Sequence, residues 1–335
     1  MLPDDVSGQI CFDGLSIIED QMAAVARLNV DGHSWERVGY REEWDLTPIE
    51  FTEWPLDFSA TRLHPQRMAR YRVDAYNWAR AMHPIPVAAD RKAFEAAVLA
   101  NLGLMCCDHP DSAFSKEEIA AREIVLCGVP MEEILDYLFL PLGDARERWK
   151  REYYDSLYMH VEHVADTPSP LYRAWLDLAQ SSYLGYLRVR NIDGAYAASC
   201  VFSLCTEKRD HVVVDEELLN LTTEATIIAH DVLTYPKHKS EHEVFSLVRY
   251  TGEDALEGLY YRAGNIANRV CALTLDRGVG DGYRAFIWGL YAVRANNARY
   301  EFAKPWANAC RIEVPLSSTW HRQPDAMQIV HTDPS

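Results

Sequence analysis

The chain has 335 residues and carries 33 Lys and Arg against 50 Asp and Glu, a formal net charge of −17. Such a balance repels phosphate backbones and anionic lipid surfaces, which argues against nucleic-acid and membrane-surface functions. A hydrophobic fraction of 48%, with 9 Trp, 18 Tyr and 10 Phe, excludes a disordered chain, and the length suits one large domain or two ordinary ones. No apolar run reaches ~18 residues, so no membrane span is expected. The opening MLPDDVSGQI lacks the basic start and apolar core of a secretory signal. The eight cysteines form no CxxC pair, which points to a reducing, cytoplasmic setting.

In chain order, residues 1–60 mix Pro, Asp and aromatics without a period and read as an irregular cap or arm. Residues 61–310 read as a helical domain and 311–335 as a tail. Phe94, Val98, Leu102 and Met105 form one apolar stripe and predict a helix within Ala88–Cys107. Ser115-Lys-Glu-Glu118 carries a capping pattern that opens the next helix. Leu171–Arg190 reads as one helix that stops at Asn191-Ile-Asp-Gly194, and another follows from about Ala195. Helices are further expected at Glu217–Tyr235, Ala255–Asp276 and Tyr283–Phe302, and a short strand at His211–Val214. Helix after helix with so little strand predicts an all-α fold, a single-domain bundle.

Four constellations could carry chemistry. Asp108 and Asp111, three apart at a helix end before and after Pro110, could hold a hard cation, or could simply be loop residues. Arg190 offers a fork suited to phosphate, Asp193 could orient it, and Gly194 frees the backbone; the alternative is a C-cap with a surface Arg. His230, Thr234 and His238 fall on one column at steps of four, with Asp231 next to the first and Lys237 beside the last; the alternative is a solvated helix end. Arg299-Tyr300 says little by itself. His160 and His163, at i and i+3, could hold a transition metal, but such a pair is more often a partly exposed helix face.

Taken together and in order, these motifs resemble class I terpene synthases of the microbial type. Cys107-Asp-His-Pro-Asp111 is similar to that family's DDxxD segment, and His230-Asp231-Val-Leu-Thr234-Tyr-Pro-Lys-His238 to its NDxxSxxxE segment. Arg190, Asp193 and Gly194 match its diphosphate-sensing Arg, linker Asp and effector Gly, and Arg299-Tyr300 its closing pair. Trp78–Pro84 is also similar, and the likeness runs over about residues 60–305. The motifs depart from the family pattern: Cys107 replaces an Asp, His230 an Asn, Thr234 a Ser and His238 a Glu, and Pro236 interrupts the second segment. Glu241 or Glu243 could stand in for a missing ligand. The pattern suggests a divergent cyclase, of the fungal humulene-forming kind.

The resemblance implies a helical bundle around a central active-site cavity and an acyclic prenyl diphosphate substrate, C15 farnesyl diphosphate, cyclised to a sesquiterpene hydrocarbon with release of diphosphate. It implies Mg²⁺, three ions with diphosphate, held by Asp108, Asp111, His230, Asp231, Thr234 and His238. Arg190, Lys237, Arg299 and Tyr300 would face the leaving group, with Asp193 and Gly194 at the helix break. Tyr76, Trp78, Phe94, Tyr183, Tyr186, Phe202, Phe286, Trp288 and Tyr291 supply the aromatic matter for a cation-stabilising wall or for ordinary core. A homodimer is compatible with the family. Two other readings stand beside it. An HD-type metal-dependent phosphohydrolase would use His230-Asp231 with His211 and Asp276 or Asp281. A non-catalytic protein would keep the cyclase fold without its metals.

Overall fold

The computed structural model describes residues 49–83, 90–107, 112–163, 169–235, 238–239 and 243–296. The helices are α1 (Pro65–Met82), α2 (Arg91–Cys107), α3 (Lys116–Ala121), α4 (Met131–Leu138), α5 (Arg146–His163), α6 (Pro170–Ser181), α7 (Tyr183–Gly194), α8 (Tyr196–Glu207), α9 (Glu216–Leu233), α10 (Leu247–Thr251), α11 (Leu256–Asp276) and α12 (Gly282–Asn296). Between α3 and α4 lies a two-stranded hairpin, β1 (Val125–Leu126) and β2 (Val129–Pro130). The fold is all-α, as the order of apolar periods predicts.

Local chemistry sets the helix starts. Ser115 accepts from Glu118 N–H while Glu118 reaches back to Ser115 N–H, the reciprocal box read from the sequence. Ser169 precedes Pro170 at the first turn of α6, and the Asp215 carboxylate accepts from two N–H groups at the start of α9. The single helix expected over 171–190 is two. Ser182 leaves helical dihedrals at φ −169°, and its hydroxyl accepts from Gly185 N–H, capping α7. Tyr183 continues the apolar period across the break, which is why periodicity alone hides it. The strand expected at His211–Val214 is not formed. Val212 N–H donates to the Pro141 carbonyl at 2.9 Å and Val213 is exposed, so these β-branched residues have no partner strand among the described residues. The hairpin forms instead where Cys127 (φ 49°) and Gly128 (φ 87°) supply the two positive-φ positions of a tight turn.

The core is built on three helices buried nearly all round: α2, α8 and α9. Helix α9 packs on α11, α12 and α8; α1 packs on α2 and α12; α5 and α6 pack on α7. Residues 49–64, before α1, fold onto this body. Ile49 and Trp54 are buried, and the Glu95 carboxylate accepts from Thr52 and Glu53 N–H groups at 2.9–3.2 Å. Three helices, α5, α7 and α9, bring their C-termini to one end of the bundle, where His163, Arg190, Asp193, His230 and Asp231 meet. Helix C-termini present partial negative charge, so this end favours cations.

Candidate active site

Tyr186, Arg190 and Asp193 occupy one face of α7, at spacings of four and three, and all three are buried. Arg190 is the hub. Its Nε and Nη2 donate to Asp231 Oδ1 at 3.1 and 3.0 Å, and its Nη1 pairs with Asp193 Oδ2. Asp231 Oδ2 takes the Tyr186 hydroxyl and the Leu247 backbone N–H, the latter at 3.0 Å. Four donors thus converge on Asp231, enough to occupy every lone-pair direction of a carboxylate. Asp231 therefore acts here as the anchor that fixes the Arg190 fork and ties α9 to α7 and α10.

A second arm runs from Asp193. His163, the last residue of α5, places Nδ1 3.4 Å from Asp193 Oδ1 and Nε2 3.4 Å from Glu243 Oε1. Its ring lies edge-on to Phe245 at 5.7 Å. Burial works to raise the Asp193 carboxyl, but Arg190 and then His163 outweigh it and hold the group below the usual carboxylate range. For Asp231 burial wins, and the pKa is raised against the pull of Arg190 and Tyr186. Burial also raises Tyr186, helped by Asp231, so the phenol stays protonated and donates. Burial lowers Arg190, but Asp231, Tyr196 and Asp193 more than restore it, so the guanidinium stays charged. Two carboxylates, Asp193 and Asp231, thus share one arginine, and His163 links Asp193 to a third, Glu243.

A third group continues from α9. Backbone bonds from Thr234 N–H to the His230 carbonyl and from His238 N–H to the Thr234 carbonyl, each 2.9 Å, carry the helical column past the end of α9. His230, Thr234 and His238 therefore stack as the steps of four predict, and all three are buried. The imidazole rings stand 5.2 Å apart, and Thr234 Oγ1, which donates to the His230 carbonyl, lies 3.1 Å from His238 Nε2. One nitrogen or oxygen from each of His230, Asp231 and His238 lies within 4.8 Å of the others.

Gly194 ends α7, and Ala195 at φ 51° makes the turn into α8. The break expected at 191–194 is there, but the glycine serves a close approach rather than a positive φ. A Cβ at 194 would sit 2.2 Å from Tyr196 Cε2. The ring that fills this space lies edge-on to His230 at 5.9 Å, so the helix break positions a side chain of the third group.

Of the residues singled out from the sequence, Arg190, Asp193, Gly194, His230, Asp231, Thr234 and His238 come together at this end of the bundle. Asp108, Asp111, Lys237, Arg299 and Tyr300 lie outside the described residues. Two participants were read differently. Tyr186, counted among wall aromatics, gives its hydroxyl to Asp231; its step of four from Arg190 on a buried face is the signal that could have found it. His163, paired with His160 in the sequence reading, leaves that partner and faces Asp193 and Glu243, while His160 Nδ1 meets the Ser156 carbonyl at 2.8 Å. Glu243, considered as a stand-in metal ligand, is engaged with His163 and accepts from Phe245 N–H at 2.8 Å. For the phosphohydrolase reading, His211 is exposed on the loop before α9 and Asp276 is exposed at the end of α11, and neither joins His230.

A comparison with curated proteins finds none that matches. A family model, alpha-ionylideneethane synthase aba3, matches residues 54–272, which include Arg190, Asp193 and the column from His230 to His238 and stop short of Arg299-Tyr300. That span covers well over half of the chain, and the all-α bundle agrees with a terpene-synthase-like family. The chain belongs to the alpha-ionylideneethane synthase aba3 family.

Proposed function

We propose that this chain is a cyclase that ionises an acyclic prenyl diphosphate, C15 farnesyl diphosphate, and closes the resulting cation to a sesquiterpene hydrocarbon. Heterolysis of the allylic C–O bond releases diphosphate with the bonding pair. An alkene of the same chain then supplies the electrons for a new C–C bond, and loss of a proton gives the neutral product. The observation that carries this reading is Arg190, buried and charged, at the helix break of a chain in a synthase family. Asp193 and Asp231 take three of its five N–H groups and hold its plane, leaving the others for oxygens of a leaving diphosphate. The converging C-termini of α5, α7 and α9 and the carboxylate excess favour cations that would accompany so anionic a substrate.

Mg²⁺ belongs to this reading through Asp108 and Asp111, carboxylates of the kind that hold a hard cation. At the second motif the residues do not fit Mg²⁺. Two positions offer imidazole nitrogen rather than oxygen, and the Asp231 oxygens are already filled by Arg190, Tyr186 and Leu247. The test is incubation of the purified chain with the C10, C15 and C20 prenyl diphosphates and gas chromatography of the extract. A cyclic hydrocarbon from the C15 substrate is expected, and an inert chain, or an Arg190→Ala variant cyclising at the parent rate, overturns the assignment.

A further inference from the structure

We propose that His230 and His238, with Thr234 between them, form a binding site for a divalent late transition ion of the Zn²⁺ and Co²⁺ class rather than for Mg²⁺. The inference deepens the cyclase reading and rests on it only for the ion's purpose, not for the ion's identity. Donor chemistry decides the class. Imidazole nitrogen suits Zn²⁺, Co²⁺ and Ni²⁺, whereas Mg²⁺ demands oxygen ligands in near-octahedral array. Replacing the amide and the carboxylate of the related motif by two imidazoles moves the donor set from oxygen to nitrogen at both ends of the column.

Geometry supports a shared ion. The rings face each other at 5.2 Å with a 39° tilt, and ligand atoms of the group lie within 4.8 Å. An ion ~2.0–2.1 Å from each nitrogen needs the pair within about 4.2 Å, so a small rotation of His238 completes the bite. Thr234 supports the His238 ring. Its own hydrogen goes to the His230 carbonyl at 2.6 Å, and its oxygen lies 3.1 Å from Nε2 and 3.3 Å from Nδ1 of His238, the kind of outer contact that orients a ligating histidine. Two protein nitrogens leave coordination positions open, as sites that bind exogenous oxygen do, and a diphosphate oxygen is the ligand the proposed reaction provides. The site is buried beside the Asp231 carboxylate, which lowers the cost of placing a dication there.

The experiment is a titration of the chelator-stripped full chain with Co²⁺, followed by its visible d–d bands, with Mg²⁺ as competitor and no substrate present. The expected result is a Co²⁺ site that millimolar Mg²⁺ does not displace and that weakens at least about tenfold in His230→Ala and in His238→Ala. His230→Asn with His238→Glu restores oxygen donors at both ends and should reverse the preference, losing Co²⁺ and gaining protection by Mg²⁺. Co²⁺ affinity equal in parent and variants, or Mg²⁺ displacing Co²⁺ as readily as Zn²⁺ does, overturns the proposal. Should either alanine variant not fold by circular dichroism, His230→Asn and His238→Gln carry the same comparison. Turnover is measured separately. A chain that binds Co²⁺ through both histidines yet converts no prenyl diphosphate keeps this inference and sinks the cyclase. A chain that makes hydrocarbon with Mg²⁺ alone at the same rate in parent and His238→Gln does the reverse.

Discussion

The interface of α7 and α9 holds two buried Tyr–carboxylate–Arg groups that differ in one respect. In the first, the Tyr183 hydroxyl donates to Glu224 at 2.8 Å, and Glu224 pairs with Arg262 from α11, whose guanidinium lies 5.6 Å from the Tyr183 ring. In the second, the Tyr186 hydroxyl donates to Asp231, which pairs with Arg190. Glu224 and Asp231 are seven apart on α9, and so on one face, as Tyr183 and Tyr186 are three apart on α7. The Arg262 group is balanced, one cation to one anion. The Arg190 group carries Asp193 in excess, with His163 between Asp193 and Glu243 on one side and His230 and His238 on the other. A balanced buried pair ties helices together and asks for nothing more. An unbalanced one at the end of three helices favours a cation, and under the proposed function that imbalance, rather than burial or pairing, is what sets Arg190 apart from Arg262.

Replacing each arginine should break the likeness most strongly. Arg190→Ala leaves two buried carboxylates facing each other, and under the cyclase reading it removes a donor from the leaving group. A loss of about 10²–10³ in kcat is expected, together with about 3–5 kcal/mol of stability, read by product yield per folded molecule and by denaturant melts. Arg262→Leu should cost a similar ~3–5 kcal/mol, because it strands the Glu224 carboxylate, while leaving activity per folded molecule at the parent level. Adding Glu224→Leu to Arg262→Leu should recover most of the loss, since a buried pair exchanged for apolar residues is near neutral. If the double variant recovers nothing, or Arg262→Leu abolishes turnover, the two groups do not divide into tie and site.

The sequence made the all-α fold legible because nearly every helix carries its own cap or apolar stripe. It missed the break at Ser182, where apolar period and polar cap disagree and the cap wins. It also misread His211–Val214, where β-branched residues have no partner strand among the described residues. At the site, residues on one helix were legible by spacing: Arg190 with Asp193, and His230 with Thr234 and His238. What joins them was not. The bonds from Asp231 to Arg190 and Tyr186, and from His163 to Asp193 and Glu243, cross between elements 30 to 80 residues apart, and no local period encodes such a meeting. Asp231 shows the consequence. Spacing places it in a metal motif, whereas its four donors are all supplied by the protein.

The two tyrosines sharpen the comparison at smaller scale. Tyr183→Phe and Tyr186→Phe each delete one hydrogen bond to a buried carboxylate and should each cost about 1.5–3 kcal/mol in denaturant melts. Only Tyr186→Phe should also lower kcat, because it frees one lone pair of the anchor that holds Arg190. Equal kinetic effects from the two would show that the Tyr186 hydroxyl has no particular role in holding Arg190.

The smallest effect expected is in the pH dependence of stability, and it separates the two carboxylates that share Arg190. The folded-state pKa of Asp193 is lowered, so its stabilising contribution is whole above the unfolded value of about 3.9 and is lost as pH falls through the folded one. The folded-state pKa of Asp231 is raised by burial, so its contribution runs the other way: stability is lost as pH rises from the unfolded value through the folded value. Denaturant melts of Asp193→Asn and Asp231→Asn against the parent, from pH 7 down to pH 3, measure both. The deficit of Asp193→Asn should hold steady down to about pH 5 and narrow below about pH 4. That of Asp231→Asn should widen on acidification. Parallel curves would mean that Arg190 is shared evenly. Opposed curves would make Asp193 the partner held by charge and Asp231 the one held by its hydrogen bonds, so that an arriving anion competes first for the Asp193 side of the fork.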